Sequence, residues 1–158
     1  MNMKPIALVI DDDNSYRMLL QFQLQSLGFS VVLATDGRTG LNLATLHFPT
    51  VIISDFTMPN MNGYEVWEAV QKDSRLRNMP FLILSAQVDS HWGKHEHASL
   101  HLLQAESLRE GVALGLLAKG LPADALTVAL RNLLGGSLPI DAALQNEAAL
   151  GETMLVRA

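Results

Sequence analysis

Three successive aspartates, Asp11, Asp12 and Asp13, close an apolar run in "ALVIDDDNSYR" (7–17), and further along Asp55, Ser85 and Lys119 each end an apolar stretch of their own. Neighbouring carboxylates repel one another, so each ionisation makes the next less favourable unless a cation or a lysine sits among them. Magnesium takes hard oxygen ligands, usually one or two carboxylates with waters and phosphoryl oxygens. Several aspartates beside one hydroxyl and one ammonium meet that demand, provided the fold brings them to one place.

The elements that would do so are legible. "IALVI" (6–10) is a continuous apolar run suited to a strand buried on both faces, and the texture returns in "VVLA" (31–34), "VIIS" (51–54), "FLILS" (81–85) and "VALGLLA" (112–118). Between the runs lie helical stretches. Asn14 or Ser15 can cap the first, which carries Leu20, Leu24 and Leu27 on one face and stops at Gly28. "RTGLNLATLHF" (38–48) is the second, ended by Pro49, and the third starts near Asn62-Gly63 with Val66 and Val70 on one face and Trp67 beside them. "PADALTVALRNLL" (122–134) makes a last helix with Pro122 in its first turn. Strand alternating with helix predicts a doubly wound parallel α/β sheet, in which ligands sit at the C-terminal ends of the strands. The acidic triplet, Asp55, Ser85 and Lys119 all fall there.

Composition narrows the function classes. The 158 residues and 49% apolar content suit one compact domain with a real core. The net charge of -5, with both signs scattered, argues against a nucleic-acid-binding face. There is no cysteine, hence no disulfide framework or thiolate site, and the reducing cytoplasm is the expected compartment. The first apolar run is too short, and too soon interrupted by acid, for a signal peptide or membrane span.

"VIDDDNSYR", "VIISDFTMPNMNGYEV", "FLILSA" and "LLAKG", in that order, resemble the receiver domain of two-component response regulators over roughly residues 5–134. The resemblance implies a flavodoxin-like five-stranded parallel sheet with helices on both faces. It implies that Asp55 accepts a phosphoryl group from a histidine kinase or phosphotransfer protein. Asp11 and Asp12 match the family's acidic pair, and Asp13 falls outside it. Asp12, Asp55 and the backbone carbonyl of Thr57 are the implied Mg²⁺ ligands, with Asp11 acting through a bound water. Lys119 and Ser85 are the implied partners of the transferred group, while Thr57 and Gln87 flank the approach of a hydrolytic water. Met58, Pro59 and Met61 read as loop-shaping and packing residues.

Three departures from the family pattern stand out. Gly120 follows the lysine where a proline is usual, so the loop aiming Lys119 has less stiffness. Leu116 stands three before the lysine in place of an aromatic. From Ser85 to Lys119 is 34 positions, about a dozen more than the family needs, a lengthened segment of the kind that is normally functional or mobile. It holds His91, His95, His97 and His101 in two i, i+4 pairs, a spacing compatible with zinc but interrupted by Gly93, so a solvated polar segment is the plainer reading. Within it Leu100, Leu103 and Leu108 are placed on the inner face of a helix.

The expected function is a phospho-accepting, Mg²⁺-dependent receiver that catalyses only its own phosphorylation and dephosphorylation and acts on an unnamed protein target. Neither nucleic acid nor membrane is an expected partner of this chain, and homodimerisation is left open. Residues 135–158 are read as a tail, linker or extra helix. The alternative is a degenerate receiver serving as a constitutive interaction module, which Gly120 and Leu116 favour and the intact aspartates oppose. A hydrolase of small substrates is disfavoured, since no second catalytic acid stands out.

Overall fold

The computed structural model describes residues 3–86 and 113–156, with 150–156 described by backbone alone. Five strands, β1 (Ile6–Ile10), β2 (Ser30–Ala34), β3 (Val51–Asp55), β4 (Phe81–Ser85) and β5 (Leu114–Ala118), form one parallel sheet in the order β2-β1-β3-β4-β5. Among the described residues five helices accompany them: α1 (Asn14–Ser26), α2 (Gly37–His47), α3 (Gly63–Lys72), α4 (Ala123–Leu133) and α5 (Pro139–Val156). The expected doubly wound fold is therefore present. The order reverses at β1 and β3, whose C-terminal ends carry Asp11 and Asp55. Gln87, the four histidines and the leucines at 100, 103 and 108 lie outside the described residues.

Alternation along the inner strands builds two cores. Leu8, Ile10, Ile52, Phe81 and Ile83 face α2 and α3, where Ala44, Val66, Trp67 and Val70 cover them. Ala7, Val9, Val51, Ile53, Leu82 and Leu84 face Leu20 and Leu24 of α1 and Leu126 and Leu130 of α4. Side chains of successive strand residues point to opposite faces, so a strand apolar at every position is one sandwiched between two helical layers.

Helix boundaries refine the sequence reading. The cap of α1 is Asp13, not Asn14 or Ser15: its carboxylate accepts the Tyr16 N–H at 3.1 Å. Asp36 caps α2 in the same way through Thr39, and α2 ends at His47 because Phe48 turns left-handed at φ 46 before Pro49. A capping box between Asn62 and Glu65 starts α3. Strand β5 begins at Leu114, two residues after the expected start.

Beyond α4, Gly135 and Gly136 take positive φ and redirect the chain. Leu138 is buried against the α1/α4 core, and the Ile140 N–H donates to the Leu27 carbonyl at 2.9 Å. Arg131 of α4 pairs with Asp141 at 2.6 Å. These contacts fasten the start of α5 to the C-terminal end of α1, where a Cβ on Gly28 would come within 2.8 Å of the Ile140 nitrogen.

Candidate functional site

Asp11 follows β1 and is fully buried, and Asp55, the last residue of β3, is 6% exposed. The fold removes both carboxylates from bulk water, while Asp12 stays at the surface. Carboxylate oxygens of Asp11, Asp12 and Asp55 lie within 4.8 Å of one another. The loop they stand on is pinned by the Asp13 N–H donating to Asp11 Oδ1 at 2.9 Å and by the Arg17 guanidinium donating to the Asp11 carbonyl at 2.7 Å.

Asp55 is held from below. Gly63 opens α3 so close to it that a Cβ would lie 2.5 Å from the Asp55 carbonyl oxygen. The Gly63 N–H donates to the Phe56 carbonyl, and the Phe56 N–H to the Leu84 carbonyl, both at 2.8 Å. Met58 is buried and Met61 packs against the same core, matching the packing role read for them, and Pro59 is exposed. Thr57 is exposed two residues past Asp55.

Ser85 ends β4, is 7% exposed and sits beside Ala118 in the register. Its carbonyl accepts the Lys119 N–H at 2.7 Å. From there the lysine reaches across, its Nζ donating to Asp11 Oδ2 at 2.6 Å and lying 3.3 Å from Asp55 Oδ1. The glycine after it is at φ 81, a conformation closed to proline, so this turn takes a path that the family's usual residue could not follow. Leu116 packs against the α2/α3 core.

Electrostatics follow from this crowding. Burial, with the Asp11 charge beside it, pushes the Asp55 carboxyl up to about 6 against the opposing pull of Lys119. Burial disfavours the Lys119 charge, but its pairing with Asp11 and Asp55 outweighs that and holds the ammonium above its ordinary range. The Lys119 ammonium pairs with two of the three carboxylates, so among the described residues the mouth keeps an excess of negative charge. A hard divalent cation suits both that excess and the all-oxygen donor set.

Residues 7–98 match the model of the response regulator receiver domain family. This chain belongs to that family. The match includes Asp11, Asp12, Asp55 and Ser85 and ends before Lys119, whose place in the site rests on the fold. Among curated proteins, this receiver is 38% identical over 86 residues to a probable transcriptional regulator ycf27 of Guillardia theta, covering 54% of this chain and 33% of that protein. It is 37% identical over 84 residues to a probable chemotaxis protein CheY of Rhizobium etli, covering 52% of this chain and 65% of that one. The chain thus spans about a third of the length of the transcriptional regulator it matches. Among solved structures it resembles chemotaxis protein CheY4 of Vibrio cholerae, with a TM-score of 0.67 and 30% identity over 84% of this chain and all of that one. A receiver domain is a component of two-component signalling.

Two residues at the site were not singled out from sequence. Tyr16 places its ring 4.3 Å from the Lys119 ammonium, and Arg17 braces the Asp11 loop. Both lie in the first turn of α1, where residues following Asp12 at helical spacing return toward the strand end. That spacing was the available signal.

Proposed function

We propose that this chain is a phospho-accepting receiver, in which Asp55 takes a phosphoryl group from a phosphohistidine of a sensor histidine kinase or phosphotransfer protein. The observation that carries this reading is the Lys119 ammonium bridging Asp11 and Asp55 within a mouth of three carboxylates. A carboxylate oxygen of Asp55 attacks phosphorus, the bond to the imidazole nitrogen breaks, and its electron pair leaves with the imidazole. Asp11, Asp12, Asp55 and the Thr57 carbonyl would hold Mg²⁺, which when bound draws off negative charge from the transferring oxygens. Lys119 neutralises another of those oxygens. The Ser85 hydroxyl donates to a third and draws its loop inward, which changes the surface a protein target meets.

The donor must approach the same mouth, and an apolar face lies beside it. Met18, Leu19 and Phe22 are exposed on α1, and Leu19 shares a groove with Tyr16 and Leu121. Exposed large apolar residues grouped at the rim of a reactive site suit transient protein docking. The chain catalyses nothing beyond its own phosphorylation and dephosphorylation on this reading, and a cytoplasmic place goes with that role.

Gly120 at φ 81 and Leu116 in β5 favour a second reading, a receiver kept only as a constitutive interaction module. Incubation with Mg²⁺ and acetyl phosphate separates the two. Phospho-acceptance predicts an added phosphoryl mass on the intact chain and a moved Ser85 amide resonance, both lost in Asp55→Asn. An unchanged mass and amide at saturating Mg²⁺ would leave only the interaction module.

A further inference from the structure

Lys119 stands on a loop that does little to aim it. Among the described residues a Cβ on Gly120 would meet nothing within 4 Å, Leu121 beyond it is exposed, and α4 starts at Ala123 with Pro122 in the cap position and no side-chain cap bond. The bond from its N–H to Ser85 fixes the lysine's backbone but leaves a flexible four-carbon stem free to reach solvent. Yet the side chain is only 13% exposed. On one side Asp11 and Asp55 hold the ammonium, Asp55 being the looser contact at 3.3 Å against 2.6 Å. On the other side is the ring of Tyr16, with Nζ 4.3 Å from its centroid, inside the range of a cation–π contact. The helix turn that carries this ring is anchored, because the Tyr16 N–H is the one that Asp13 caps.

We infer that Tyr16 is a positioning residue for Lys119, its ring holding the ammonium over Asp55 where the loop after the lysine supplies no stiffness. This deepens the phospho-accepting reading and rests on it. Phosphoryl transfer depends on charge already in place when the new oxygens arrive, so an ammonium free to lean toward solvent is lost to the transition state. Without the ring, the 2.6 Å bond to Asp11 survives and the longer contact to Asp55 is the one surrendered. A purely space-filling Tyr16 would serve only to wall the groove with Leu19 and Leu121.

The full chain is tested with Tyr16→Leu and Tyr16→Phe. In the Mg²⁺-free protein, the Lys119 ε-methylene resonances are expected upfield of an ordinary lysine through the ring current in the wild type and in Tyr16→Phe, and at the ordinary position in Tyr16→Leu. With Mg²⁺ and acetyl phosphate, Tyr16→Leu is expected to phosphorylate about three- to tenfold more slowly, with Tyr16→Phe restoring the rate. Unshifted lysine resonances in the wild type, or a Tyr16→Leu rate equal to wild type, would overturn the assignment. If the wild type takes up no phosphoryl group, the phospho-accepting reading fails separately, and the ring-current comparison still decides whether Tyr16 holds the lysine. Should Tyr16→Leu fail to fold, the wild-type and Tyr16→Phe spectra make the same decision.

Discussion

The two sides of the mouth are held by different means. Asp11 and Asp55 stand at the ends of inner strands, and every residue of β3 is buried. Their places are set by main-chain bonds and, at Asp55, by a glycine packed beneath it. Lys119 follows β5, an edge strand whose residues are all half-buried, and it precedes a glycine that no described side chain packs against. The acidic side is thus built by backbone and core, and the basic side by side-chain contacts made after the chain has folded. The difference separates what the receiver needs in order to exist from what it needs in order to react.

Removing the lysine gives the largest effect that leaves the acidic side standing. Lys119→Ala is expected to slow phosphorylation by acetyl phosphate about 100-fold, while Mg²⁺ binding, followed by calorimetry, persists. Loss of metal binding in that variant would show that the two sides are not separately supported.

Glycine substitutions probe the same contrast through stability. Gly63→Ala drives a methyl group onto the Asp55 carbonyl and is expected to cost about 2–3 kcal/mol in urea unfolding. Gly120→Ala meets no atom of the described residues within 4 Å and costs the left-handed backbone, about 1 kcal/mol. Equal costs at the two positions would dissolve the distinction.

The crowding of the carboxylates has a pH signature. Asp55 is raised from 3.8 to about 6, so between those values the folded, metal-free chain binds more protons than the unfolded one. Stability without metal is therefore expected to fall as pH rises from 4 through 6, and Asp55→Asn to flatten that slope. Protons also compete with Mg²⁺ for the same oxygens, so metal affinity should weaken by about tenfold per pH unit below the Asp55 value. An affinity flat from pH 5 to 7 would mean that Asp55 is no ligand. The smallest effect belongs to Asp13→Ala, which removes the α1 cap for about 1 kcal/mol in unfolding.

The acidic side was legible in the sequence because each part of it is a local pattern: an unbroken apolar run, then an aspartate at its end. Gly63 and the methionines of the β3–α3 loop could be read as shaping residues, although the closeness of Gly63 to the Asp55 carbonyl emerges only when helix meets strand. The cap of α1 was not legible, since Asp13, Asn14 and Ser15 share the same capping preference and only the position at which the chain turns helical picks out Asp13. Tyr16 escaped notice for a different reason. Its partner Lys119 follows the last strand, and the Asp11 contact that brings it near spans 108 positions. The start of α5 was equally opaque, because Ile140 and Asp141 acquire meaning only against Leu27 and Arg131.

The proposed phospho-acceptance makes Asp55 an acyl phosphate. Such an anhydride is reduced by borohydride, which converts the modified aspartate to homoserine and leaves free carboxylates untouched. Peptide mapping after treatment with Mg²⁺, acetyl phosphate and borohydride should find homoserine at position 55, dependent on both Mg²⁺ and the phosphodonor. Homoserine at position 11, 12 or 13 instead, or at none of the four, would contradict the account.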